Sequence, residues 1–182
     1  MKHKDIKKFS ILLYIIYILS IIFFLFNKEF GKSVISLISL IITFVLTKAY
    51  LKNLAILDYP LYIIGNIFIL SSFLLGSCYG LYDIIPFYDD FLHFWSGFIS
   101  VKIGFNILKN ISSKNNKLLI CMILFFFAMG ISAICEICEY LLDVLFKMNT
   151  QSGGLKDTMM DLIDASCGAF FMIVYYYRKY LR

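Results

Sequence analysis

The sequence predicts an all-α, polytopic membrane bundle of about six transmembrane helices with both termini in the cytoplasm. Three observations predict it. The first is composition: 61% of the 182 residues are hydrophobic, 16% are charged, and the mean hydropathy is +0.84. A soluble domain sits near half apolar and a quarter charged, so this balance belongs to a chain whose surface meets hydrocarbon. The second is spacing, because apolar runs of the roughly 20 residues needed to cross a bilayer recur between short polar segments. The third is the placement of the cations. Lys2, Lys4, Lys7, Lys8, Lys48, Lys52, Lys109, Lys114, Lys117, Arg178, Lys179 and Arg182 fall in one alternating set of ends and loops. The other set holds only Lys28, Lys32, Lys147 and Lys156. Lysine and arginine collect on the cytoplasmic side of membrane proteins, which puts the first set, and both termini, in the cytoplasm.

The first span is expected from about Phe9 to Phe26, behind a basic start that includes His3. Asn27-Lys28-Glu29-Phe30 lacks the small residues of a signal-peptidase site, so this span is read as uncleaved. The second runs from about Lys32 to Tyr50, with Ser33, Ser36, Thr43 and Thr47 near one face, a seam that lets membrane helices approach closely. Pro60 suits the start of the third, about Leu61 to Tyr79, which carries Gly65, Ser72 and Gly76. Gly80 to Asp90 is a proline-broken acidic loop. The fourth span covers Phe91 to about Leu108, with Lys102 near enough its cytoplasmic end to snorkel. The fifth run, Leu118 to Phe146, would reach roughly 43 Å as a helix, beyond the roughly 30 Å of hydrocarbon, so it must tilt or project. Gly153-Gly154 marks the loop before the sixth span, Thr158 to Tyr177. The whole chain, 1–182, is expected to form a single membrane domain without repeats or linkers.

Function is sought where charge enters these runs. Glu136, Glu139 and Asp143 stand at i, i+3 and i+7 and form one acidic stripe on an otherwise apolar helix. A carboxylate facing hydrocarbon costs several kcal/mol, so such a stripe is read as a site. Asp89 and His93 are i, i+4, and Asp157, Asp161 and Asp164 are i, i+4 and i+7. With the predicted orientation these groups and Asp90 all lie near the extracytoplasmic face, where burying three stripes against one another avoids lipid. Gly97, Gly104 and Gly168 lie near those faces and permit close packing. Asp89, Asp90 and Asp157 also suit helix N-caps. Glu136 and Glu139 are too far from a helix end for that role.

Taken together, Asp89-x-x-x-His93-Phe94-Trp95-Ser96-Gly97, then Glu136-x-x-Glu139, then Thr150-Gln151, then Asp157-Thr158-x-x-Asp161-Leu162 and Gly168-Ala169 resemble the YjdF-type inner-membrane family. The likeness covers roughly residues 60–178, with Tyr140 where the family often has Trp. A looser likeness, in the Asp-x-x-x-His-Phe helix start, is to VanZ-like membrane proteins. The first resemblance implies a multi-pass protein of the bacterial cytoplasmic membrane and carries no activity, because that family is of unknown function.

Several classes are disfavoured. The lysines do not form the basic face that nucleic acid requires, and the partner implied is the lipid bilayer. The five cysteines lie in or at the ends of apolar runs and read as reduced, packed thiols, including Cys135 and Cys138. No Ser elbow accompanies the internal histidine, and Cys167 lacks a basic neighbour, so nucleophilic catalysis has no support. Carboxylates with one imidazole suit a divalent cation such as Mg²⁺, Mn²⁺ or Zn²⁺. The candidate ligands are His93, Asp89, Glu139, Asp161 and Asp164, with Glu136 and Glu139 as candidate catalytic carboxylates. A metal-dependent enzyme on a membrane or cell-envelope substrate is one expectation. A small proton- or cation-linked transporter and a purely structural polar cluster are the alternatives.

Overall fold

The computed structural model describes residues 3–109, 116–148, 150–151 and 154–181. Lys2, Lys114, Gly153 and Arg182 of the sequence reading lie outside the described residues. The described elements are α1 (His3–Phe26), α2 (Phe30–Leu51), α3 (Tyr59–Ile69), α4 (Leu81–Ile84), α5 (Tyr88–Leu108), α6 (Lys117–Phe146) and α7 (Leu155–Tyr176). α3 runs on as π-helical turns over Leu70–Cys78, and α7 as similar turns over Tyr177–Leu181. No strand occurs among the described residues. Six helices, with α3 and its extension taken as one, are long and apolar enough to cross a membrane. The α-helical class and the six spans are as the sequence predicts. Their outward faces carry Leu12, Leu19, Phe44, Phe126, Ile134 and Phe170, all half or more exposed, as a surface solvated by lipid requires.

The chain divides into two compact units, Met1–Tyr88 and Asp89–Arg182. In the first, α1 buries Ile6, Ser10, Leu13, Tyr17, Ser20 and Phe24, alternating three and four residues apart along one seam. The buried face of α2 consists of Ser33, Ser36, Ser39, Thr43 and Thr47. Ser36, Ser39 and Thr47 each donate to the carbonyl four residues back, at 2.8–2.9 Å, so a small polar face is buried at little cost. Cross-helix bonds tie the seam: Thr47 Oγ1 and Tyr62 Oη at 3.0 Å, and Ser20 Oγ and Tyr79 Oη at 3.2 Å. Tyr62→Phe is expected to lower thermal stability by about 1 kcal/mol, the usual worth of such a bond between membrane helices. An unchanged melting curve would show that the Thr47–Tyr62 bond contributes nothing.

The segment expected to be a plain loop is more ordered than predicted. Gly80, at φ +76°, reverses the chain so that α4 folds back and the Tyr82 ring lies on Gly76, where any side chain would collide with it. α5 then starts at Tyr88, ahead of the expected Phe91, so Asp89 and Asp90 occupy its first turn instead of capping it. α7 likewise starts at Leu155 behind Gly154, which puts Asp157 inside the helix and not at its cap. The side-chain caps that do form are Asp58, accepting from Leu61 N at 3.2 Å, and Asn116, accepting from Leu119 N at 3.1 Å.

In the second unit α5, α6 and α7 share a core of Val101, Leu124, Ala128, Ala169, Ile173 and Tyr176, with Phe105 stacked on Tyr176 at 4.0 Å. Lys102 Nζ donates to Asn106 Oδ1 at 3.1 Å, one turn toward the C-terminal end of α5. α5 and α7 approach backbone to backbone. A Cβ on Gly97 would strike the Ala165 carbonyl, and one on Gly168 would strike the Phe94 carbonyl. Only glycine at both positions allows that separation, and the contact lies one turn from His93 on α5 and one turn from Asp164 on α7. All five cysteines are free thiols; Cys78 is buried, while Cys135, Cys138 and Cys167 are exposed on the helix surfaces instead of packed inside.

Candidate metal centre at one end of the second unit

The start of α5, the end of α6 and the start of α7 lie at one end of the second unit, and His93 stands among their carboxylates. Its Nε2 is 3.5 Å from Asp89 Oδ1 and 3.9 Å from Asp161 Oδ1. Its Nδ1 is 3.7 Å from Glu136 Oε1. One face of the ring therefore looks to α5 and α7, the other to α6. Two sets of donor atoms lie within 4.8 Å of one another: Asp89, His93 and Asp161, and His93, Glu136 and Glu139. Donors that each sit ~2.1 Å from one cation are ~3.0–3.4 Å apart, so spacings of up to 4.8 Å would have to close by as much as ~1–2 Å to reach ligand spacing.

Burial differs sharply among these groups. Glu136 and Asp161 are 4% and 2% exposed, whereas the Asp89 side chain is 40% exposed. Neither Glu136 oxygen accepts a hydrogen bond of ordinary geometry, although Gln151 and Thr158 lie beside it. A buried, unbonded carboxylate is costly unless a cation or a strong donor faces it, and His93 is the nearest such group. Asp164 lies beside Asp90 and within electrostatic reach of His93, and it is not among the two donor sets above.

Asp143, the third member of the α6 stripe, performs a different task. Its Oδ1 accepts from Thr150 N at 2.7 Å and Thr150 Oγ1 at 2.6 Å, and its Oδ2 accepts from Gln151 N at 2.9 Å. The Thr150 hydroxyl is equally placed to donate to the Glu139 carbonyl, at 3.0 Å. Lys147, at φ +54°, ends α6 in the left-handed conformation and turns the chain back to make these bonds. Thr150 and Gln151 are thus strapped over the end of α6. Gln151 Nε2 donates to Thr158 Oγ1 at 2.8 Å, beside Glu136. Sequence spacing marks Asp143 as an acid on the right face and cannot show that a loop folds back onto it. Asp143→Ala is expected to release the strap, read as faster amide exchange at Thr150 and Gln151. Protection equal to that of the unsubstituted protein would mean that other contacts hold the loop.

Six apolar helices of spanning length, aliphatic surfaces and polar groups turned inward define a multi-pass membrane protein. The chain belongs to the family described as predicted membrane protein (DUF2238), whose model matches residues 9–182. No curated protein and no solved structure matches it. None of these findings supports the looser likeness to VanZ-like proteins.

Proposed function

We propose that this protein is a divalent-cation-dependent enzyme of the bacterial cytoplasmic membrane, acting on a membrane or cell-envelope substrate. The observation that carries the reading is His93 standing between carboxylates of α6 and α7, with the Glu136 carboxylate buried and lacking a hydrogen-bond partner. Carboxylates with one imidazole form a hard, mixed oxygen–nitrogen ligand set suited to Mg²⁺, Mn²⁺ or Zn²⁺. A cation held there would offset the crowded charge and supply a more acidic bound water, and a carboxylate outside the ligand set would be the base available to it. The distribution of loop cations supports a reading with this end of the helices on the extracytoplasmic side and both termini in the cytoplasm. A cell-envelope substrate reaches such a site from the outer leaflet or from the water above it.

Elemental analysis of detergent-purified protein tests the reading. His93 belongs to both ligand sets, so stoichiometric divalent metal is expected in the unsubstituted protein and near-complete loss in a folded His93→Ala variant. Folded protein that neither retains nor takes up Mg²⁺, Mn²⁺ or Zn²⁺ would end the metal-enzyme reading.

A further inference from the structure

The two halves of the site are not equivalent, and their difference assigns roles within it. A neutral imidazole has one nitrogen with a free lone pair and one N–H, so His93 binds a cation through a single nitrogen and donates from the other. Nε2 is faced by two carboxylates, Asp89 and Asp161. Among the described residues neither Asp89 nor Asp161 accepts a hydrogen bond from a protein group, and the Asp89 side chain is 40% exposed. On the Nδ1 side the carboxylates of Glu136 and Glu139 are joined by hydrogen-bonding side chains. Glu136 has the donors Gln151 and Thr158 beside it, and Thr150 and Gln151 are strapped across that side. N–H and O–H donors repel a cation and favour a carboxylate that accepts.

We propose that the cation sits on the Nε2 side of His93, held by Asp89 and Asp161, and that Glu136 accepts the Nδ1 proton as a positioning residue. This rests on the metal-centre reading above. It makes His93 the middle of a carboxylate–histidine–metal relay, in which Glu136 fixes the tautomer that leaves Nε2 free for the cation. The same arrangement gives the buried Glu136 a well-formed hydrogen bond: closing the present 3.7 Å by about 0.6 Å brings it to ordinary length. Glu139 is then left outside the ligand set.

Mn²⁺ titration of the full-length protein in detergent, followed by electron paramagnetic resonance, tests the assignment. One equivalent is expected for the unsubstituted protein. Asp89→Asn and Asp161→Asn are expected to lose it, and Glu139→Gln to keep it. Glu136→Gln is expected to keep one equivalent with a Kd raised roughly 10- to 100-fold, the usual effect of removing a metal-bound histidine's partner. Cu²⁺-loaded protein supplies a readout that mere loosening would not move. Spin-echo modulation from the remote imidazole nitrogen reports the hydrogen bond at Nδ1, and it is expected to change in Glu136→Gln and not in Glu139→Gln. Loss of Mn²⁺ in the two glutamate variants with retention in the two aspartate variants would place the cation on the other side. Two equivalents in the unsubstituted protein, or a remote-nitrogen signal untouched by Glu136→Gln, would also overturn the assignment. In those outcomes a metal centre still stands. Absence of any bound Mn²⁺ in folded protein overturns the centre and the assignment together.

Discussion

Gly168→Ala is expected to force α5 and α7 apart and to cost about 3 kcal/mol, the upper end of the range for overpacking a filled interior. The upper end applies because the atom in the way is the Phe94 carbonyl oxygen, part of a helix backbone, which cannot rotate aside as a side chain can. The Gly97→Ala change meets the Ala165 carbonyl and is expected to behave alike. Gly130→Ala on α6 is the control, since a Cβ there meets nothing within 4 Å, and its stability should be equal or slightly higher. The separation matters beyond stability. His93 is four residues before Gly97, and Asp161 is seven before Gly168, so the glycine contact holds the imidazole at 3.9 Å from the Asp161 carboxylate. Metal uptake should therefore fall in Gly168→Ala even in preparations that remain folded. Thermal denaturation of the three variants side by side is the measurement. A Gly168→Ala protein as stable as Gly130→Ala would show that the two helices have room to spare.

Asp161→Asn is expected to abolish stabilisation by divalent cations. A ligand that binds only the folded state stabilises by about 2.7 kcal/mol at 100 times its Kd, which for a chain of this length shifts the melting temperature by several degrees. Unsubstituted protein should show that rise on addition of Mn²⁺ and lose it with a chelator. In Asp161→Asn the carboxylate that faces His93 from α7 is replaced by an uncharged amide of nearly the same shape. The variant should melt at one temperature with and without Mn²⁺, and without the cation it should be no less stable than the parent, because one buried negative charge has been removed. A Mn²⁺-dependent rise of equal size in both proteins would exclude Asp161 from the centre.

Much of the fold is legible in the chain because it depends on properties that repeat locally. Hydropathy locates the six spans, and the three-, seven- and four-residue spacing of Ser33, Ser36, Thr43 and Thr47 marks the inner face of α2. The misplacements are at helix starts. Asp89, Asp90 and Asp157 look like caps by residue type, but α5 and α7 each begin three residues earlier than the expected spans do. A helix boundary follows the turn that precedes it. Those turns are shaped by Tyr82 lying on Gly76 and by Gly154 at φ +60°, neither of which appears in a hydropathy pattern.

The carboxylates of α6 show the same division. Helical spacing alone puts Glu136, Glu139 and Asp143 on a shared face, yet they have three different surroundings. Glu136 is buried against His93, Glu139 lies with it at the edge of that set, and Asp143 is committed to the amides of Thr150 and Gln151. Asp164 has the spacing of a ligand and sits with Asp90 instead. By itself the sequence determined the membrane class, the number of spans and the list of polar residues worth watching, because those follow from each residue and its near neighbours along one helix. Only the tertiary structure decided which nitrogen of His93 meets which carboxylate and which acid serves the strap. Those choices depend on how far apart three helices pack, and that distance is set by contacts between residues remote in the chain, Gly97 with Ala165 and Gly168 with Phe94.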